Sequence, residues 1–158
     1  MAEKELRQVD DKHPHCYVMD GKLALPYQYF AGRTGSRFII ALRDKKKILG
    51  IKCKKCDKVF VPPRQTCERC FSNISDNWVE LSGNGEVVNF TVVRKDDGHL
   101  PRKAPYVLAL IKLDGADTPM PHILDVPPDK AAVGMKVKPV FAKQTTNTIL
   151  DIECFRPV

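Results

Sequence analysis

Cys53-Lys-Lys-Cys56 and Cys67-Glu-Arg-Cys70 repeat one spacing within a short stretch of chain. Two thiolates on a tight turn can grip one tetrahedral ion, and two such turns supply the four ligands that zinc takes in structural sites. With every position filled by protein, no site stays open for water or substrate, so the metal is expected to hold the fold rather than to react. The competing reading is two chance spacings or a redox dithiol. The flanks favour metal: Ile48-Leu49-Gly50-Ile51 enters the first knuckle, Val59-Phe60-Val61 leaves it as a short strand, and Pro62-Pro63 ends that strand's pairing. This pattern reads as a small zinc ribbon. The ten residues between the knuckles fall short of the roughly 15–20 of the commoner spacing. Asp57 stands where such ribbons usually carry glycine, and Asp tolerates the left-handed backbone that such a turn demands.

Two cysteines lie outside this set. In Leu150-Asp151-Ile152-Glu153-Cys154, alternation places Leu150, Ile152 and Cys154 on one strand face, so Cys154 reads as a small core residue. Cys16 follows His13-Pro14-His15, which is either a second metal site or part of a mobile terminal segment. No G-x-S-x-G elbow, phosphate-binding glycine loop, dinucleotide fingerprint or H-E-x-x-H occurs. His99 reads as a solvated loop residue and His122 as a structural residue opening a strand, so no active site is expected in this chain alone.

The charge is uneven. Lys and Arg number 26 against 19 acids, yet the segment from Arg43 to Cys70 carries ten basic residues against Asp44, Asp57 and Glu68, the whole excess of +7. That cluster is a solubilising face, an anion-attracting surface, or a counterweight to a four-thiolate zinc site of formal charge about −2.

The elements that must position these residues emerge from periodicity. Residues 1–22 show no sustained apolar period and are expected to form a loosely ordered arm. Leu23 to Phe30 is dense in apolar and aromatic side chains, and Ser36 is placed to cap a short helix over Arg37–Arg43. These pieces either pack on the C-terminal barrel or offer an apolar surface to another protein. From Trp78 the period becomes two: Trp78–Ser82, Glu86–Val93 with Val88, Phe90 and Val92 on one face, Tyr106–Leu113, His122–Val126, Met135–Phe141 and Thr148–Phe155. Residues 127–134 form a turn or single helical turn before the next strand. The fold class is mainly β with an N-terminal helical arm, a small zinc ribbon and a five- to six-stranded OB-fold barrel. The divisions are 1–46 for the arm, 47–75 for the ribbon and 76–158 for the barrel, with ribbon and barrel packing as one unit. At 158 residues, 43% apolar and 28% charged, the chain has room for one ordinary domain or little more. With no apolar run near the roughly 20 residues of a membrane span and a charged N-terminus, it is expected in the cytosol, where cysteines stay reduced.

The order of these parts is specific: an aromatic-rich helical arm, a four-cysteine ribbon containing Val59-Phe60-Val61-Pro62-Pro63-Arg64, Trp78, then Leu81-Ser82-Gly83-Asn84-Gly85-Glu86-Val87 and Phe90-Thr91-Val92-Val93. From about Tyr27 to the C-terminus the chain resembles the DUF35 family, zinc-ribbon and OB-fold proteins associated with acyl-CoA enzymes of the thiolase superfamily. The resemblance implies one structural zinc held by Cys53, Cys56, Cys67 and Cys70, with Asp57 the main departure from the family pattern. It also implies a non-catalytic subunit that supports a thiolase-fold large subunit, in a heterotetramer or similar assembly, and helps form its acyl-CoA site during thiolytic cleavage or formation of a carbon–carbon bond. The ligand of that complex is a coenzyme A thioester, whose phosphates are matched by Lys and Arg; Lys55, Arg64 and Arg69 are the candidates. Tyr27, Tyr29 and Phe30 are the candidates for partner docking. Within the family the likeness is to small subunits of two-subunit thiolases of anaerobic aromatic degradation. The alternatives are an accessory subunit of a thiolase-like aldolase and a nucleic-acid-binding module. Against the latter stands a nearly electroneutral barrel segment carrying Glu80, Glu86, Asp151 and Glu153, and neither a membrane nor nucleic acid is an expected partner.

Overall fold

The computed structural model describes residues 7–8, 17–18, 25, 27–96 and 102–158, and divides into two units, 1–30 and 31–158. In the first, β1 (Arg7–Gln8) pairs antiparallel with β2 (Tyr17–Val18), so part of the expected loose arm is a short two-stranded ladder. Leu25, Tyr27, Tyr29 and Phe30 are exposed, and the rings of Tyr27 and Tyr29 stand 6.1 Å apart in a tilted arrangement. His13, His15, Cys16 and His99 lie outside the described residues.

The second unit opens with α1 (Gly32–Lys45), longer at its start than the expected 37–43, with Ala31 at the N-cap and Ser36 inside the helix rather than capping it. Gly32 and Gly35 argue against helix by propensity. Tertiary burial overrides them: Thr34, Phe38, Ala41 and Leu42 form one buried stripe at helical spacing. Lys46, left-handed at φ 52°, ends the helix, and the N–H groups of Lys46 and Lys47 bond back to Leu42 and Ala41.

Three strands build the ribbon sheet in the order β4 (Val59–Phe60), β3 (Ile48–Lys52), β5 (Trp78–Leu81), all antiparallel. Trp78–Leu81, expected to open the barrel, therefore pairs with the ribbon instead, Trp78 opposite Ile51 and Leu81 opposite Ile48. The barrel is a closed five-stranded sheet in the order β10-β8-β7-β6-β9, built from β6 (Gly85–Val93), β7 (Tyr106–Leu113), β8 (Met120–Leu124), β9 (Lys136–Phe141) and β10 (Ile152–Pro157). A helical turn at Pro128–Lys130 precedes β9, as expected of an OB-fold, and a second at Ile149–Asp151 precedes β10.

Two bulges move side chains off the simple alternation. A register shift between Val87 and Asn89 puts Val87, Phe90 and Val92 with the core and leaves Val88 out of it. A second, between Ile152 and Cys154, sends Ile152 and Phe155 into the main core while Cys154 and Leu150 pack with Tyr106 and Ile123 in a separate cluster. Cys154 is the buried core residue expected, but it does not share a face with Ile152.

The main core is common to all three parts of the unit: Phe38 and Leu42 of α1 and Ile48 and Val61 of the ribbon join Val107, Ile111, Leu113, Leu124 and Phe155 of the barrel. Hydrogen bonds add to this join. The β4 edge is covered by the loop after β7, where the Asp117 N–H donates to the Val59 carbonyl and the Asp117 carboxylate accepts the Val59 N–H, both at 2.8 Å. Thr118 Oγ1 accepts from the Val61 N–H at 2.9 Å and donates to the Val61 carbonyl at 3.1 Å. No described helix is long and apolar enough to cross a membrane.

Candidate metal centre

Each knuckle is a closed turn with the same backbone. In the first, the Cys53 N–H bonds to the Lys58 carbonyl and the Asp57 N–H to the Cys53 carbonyl, both at 2.8 Å; in the second, Cys67 bonds to Ser72 at 3.0 Å and Phe71 to Cys67 at 2.9 Å. The residue after the second cysteine is left-handed in both, Asp57 at φ 60° and Phe71 at φ 56°. The tolerance expected of Asp57 is what the turn uses, and its carboxylate pairs with Lys52 at 2.8 Å. A small ribbon core of Ile51, Phe60 and Ile74, with Trp78 against it, holds the turns face to face and buries Cys53 and Cys67.

The turns bring the four sulfurs within 4.8 Å of one another. Cys53 and Cys70 Sγ are 3.6 Å apart and Cys56 and Cys67 Sγ 3.9 Å, against the ~3.8 Å edge of a tetrahedron with zinc–sulfur bonds of ~2.3 Å. The Ser72 hydroxyl lies 3.0 Å from Cys70 Sγ and 3.6 Å from Cys53 Sγ, and the Cys56 N–H points at Cys53 Sγ at 3.4 Å. Hydrogen bonding by Ser72 draws the Cys70 thiol down to about 6, whereas hydrogen bonding with Cys70, together with burial, pushes the Cys56 thiol up to about 12. Four sulfurs this close ionise together only around a cation, so the donor set fits a soft tetrahedral metal.

The other candidates are scattered. Lys55 lies on the first knuckle and lines a cleft with Lys52 and Lys54. Arg64 is committed locally, bonded to Glu68 at 2.5 Å with its guanidinium 4.9 Å above the Phe60 ring. Arg69 is exposed on the second knuckle. His122 is buried, its Nδ1 accepting from the Ile123 N–H at 2.9 Å and its Nε2 3.3 Å from the Ile149 carbonyl, a structural residue as expected. Two features escaped sequence reading. Phe71 is 80% exposed beside Cys70, and nothing in its type announces a left-handed turn. Arg33 and Arg37 border a polar cavity with Trp78; their spacing of four within a helix was the available signal.

A four-cysteine ribbon joined to a closed OB-type barrel defines a class, and comparison with known proteins places the chain within it. Residues 42–74 match the rubredoxin-like zinc ribbon domain of ChsH2 and residues 78–142 its C-terminal OB-fold domain. A DUF35 domain-containing scaffold protein of Methanocaldococcus jannaschii is 30% identical over 102 residues, 65% of this chain and 72% of that protein. Its counterpart in Pyrococcus furiosus is 32% identical over 108 residues, 68% and 78% of the two chains. The chain belongs to the DUF35 family. Among solved structures, a chain of the Ltp2-ChsH2(DUF35) aldolase superposes with a TM-score of 0.60 at 26% identity, covering 80% of this chain and 95% of that one. A DUF35 protein of unknown function from Sulfolobus solfataricus gives 0.59 at 28% identity, covering 80% and 84%.

Proposed function

We propose that this chain is a non-catalytic, zinc-stabilised accessory subunit of a thiolase-superfamily enzyme. One observation carries the reading: the likeness to a chain of the Ltp2-ChsH2(DUF35) aldolase extends over 95% of that chain. The probable enoyl-CoA hydratase alpha subunit of Thermomonospora curvata, 28% identical over 113 residues that make up 72% of this chain and 34% of that protein, supports an acyl-CoA setting. In this reading Cys53, Cys56, Cys67 and Cys70 hold one structural zinc, and the nucleophilic cysteine belongs to the large subunit. Tyr27, Tyr29 and Phe30, exposed by 79%, 80% and 85%, dock on that subunit, because large apolar side chains so exposed gain most by being covered. Lys55, with Arg64 and Arg69, lies toward the CoA phosphates. The complex works in the cytoplasm as a heterotetramer, on a β-ketoacyl-CoA of the benzoylsuccinyl-CoA kind, and cleaves it with free CoA.

A thiolase-like aldolase partner is the second reading, favoured by the aldolase named above. Affinity purification of the tagged chain from its host, with protein identification and metal analysis of the eluate, tests the assignment. A thiolase-fold protein in near-stoichiometric amount with zinc supports it; the chain recovered alone or with nucleic acid overturns it. Consumption of one free CoA per cleavage by the purified complex selects thiolase, and cleavage without free CoA selects aldolase.

A further inference from the structure

Between the first turns of α1 and the loop after the second knuckle lies a cavity of roughly 420 Å³, within the size range of small-molecule sites. Its chemistry is concentrated in Arg33, Thr34, Arg37, Ser75, Asp76 and Trp78. Arg37 stacks on the Trp78 ring at 4.6 Å, which holds the guanidinium plane while leaving its edge N–H groups available. Trp78 itself is anchored by pairing with Ile51, so the floor of the cavity is part of a sheet. Arg33 lies one helical turn from Arg37, and the first turn of α1 contains no acid. Across the wall formed by Asn73, Ser75 and Asp76, a second cleft of roughly 270 Å³ is lined by Lys52, Lys54 and Lys55.

Two arginines, a planar aromatic support, hydroxyl groups, a lone carboxylate and an adjoining row of lysines are the complement of a phosphorylated nucleotide. Guanidinium forks match a phosphate monoester, the carboxylate accepts from a ribose hydroxyl, and the stacked guanidinium–indole pair offers a face to a base. We propose that this cavity binds the phosphorylated adenosine end of a CoA thioester, with Arg33 and Arg37 on the ribose phosphate and Lys54 and Lys55 toward the diphosphate. The proposal rests on the acyl-CoA reading above. It moves the weight of CoA recognition from Arg64, held by Glu68 and Phe60, to two residues of the helix.

Trp78 is the one tryptophan in the chain and lines this cavity, so in the zinc-loaded chain its fluorescence responds to a ligand bound there. Adenosine 3′,5′-bisphosphate, titrated into the zinc-loaded full chain and into its purified complex, is expected to change that emission saturably. Arg33→Ala, which leaves the Arg37–Trp78 stack in place, weakens the response by about tenfold, the loss of a charged phosphate contact, and Lys143→Ala on the barrel leaves it unchanged. Unaltered zinc content and melting temperature confirm that the variants fold. No saturable change in either preparation, an equal response to inorganic phosphate, tighter binding of a single-stranded oligonucleotide, or equal weakening by Lys143→Ala would each overturn the site. A complex that forms without nucleotide binding sinks this proposal and spares the subunit assignment; nucleotide binding by a chain that captures no thiolase-fold protein does the reverse.

Discussion

Asp57 and Phe71 occupy the same left-handed position of their knuckles, yet only the first was legible in the sequence. Asp is a type that accepts positive φ, while phenylalanine there is an outlier that the turn's hydrogen bonds impose. Ser72 was equally silent, since a serine two residues past a cysteine has no pattern of its own. Its hydroxyl lies against two ligand sulfurs, so Ser72→Ala is expected to lower zinc affinity by about 10- to 100-fold, the usual effect of losing a group that orients a ligand. Competition with a chromophoric chelator measures it. His122 carries a pH prediction. Burial lowers its pKa below the ordinary 6.5, outweighing the hydrogen bond at the Ile149 carbonyl that acts the other way. The folded protein therefore holds the ring neutral, and the unfolded chain binds the proton more readily. This contribution to stability is complete above pH 6.5 and is lost as pH falls from there toward the lower folded value. Urea titrations at pH 7.5 and about 5.5, with zinc saturating, should show a smaller acid loss in His122→Asn than in the parent.

The strands of the barrel were readable because half-buried strands alternate, and β7 runs over Tyr106–Leu113 as its pattern required. Alternation does not say which sheet a strand joins. Trp78–Leu81 satisfies the period in either, and its place beside β3 is set by three-dimensional proximity to the first knuckle. The bulges at Val88 and Glu153 were hidden for the same reason, since one extra residue shifts the inward face without changing composition. Helix α1 begins earlier than its glycines suggest because Thr34 and Phe38 are buried against the rest of the unit. Thr118, in the loop after β7, deals with an element that has no partner strand on one side. Replacing it by valine keeps the shape and strips both bonds to Val61, leaving a buried N–H unsatisfied at a cost of about 1–3 kcal/mol. Thr118→Val should lower the urea midpoint accordingly while zinc content holds.

At the scale of the whole second unit, the four-cysteine ribbon and the barrel are linked through shared packing. Ile48 and Val61, within or beside strands that lead to and from the first knuckle, lie in the same core as Ile111, Leu124 and Phe155. A structural zinc in a small peptide is worth roughly 10–16 kcal/mol of folding free energy. Withdrawing it with a strong chelator should therefore destabilise the barrel as well as the ribbon, seen as a single lowered urea transition by both tryptophan emission and far-ultraviolet circular dichroism. Two separate transitions would show that ribbon and barrel fold independently. The shared core was foreshadowed by the lack of a flexible linker between the parts. The covered edge of β4 has one more consequence. Unpaired strand edges are where folded β proteins recruit one another into aggregates, and here the barrel closes on itself while Asp117 and Thr118 occupy the free side of β4. The outer side of β5 is four residues long and marked by the charge of Glu80, too short and too charged to template a growing sheet. The ribbon sheet thus gives a second copy of the chain little edge on which to add a strand.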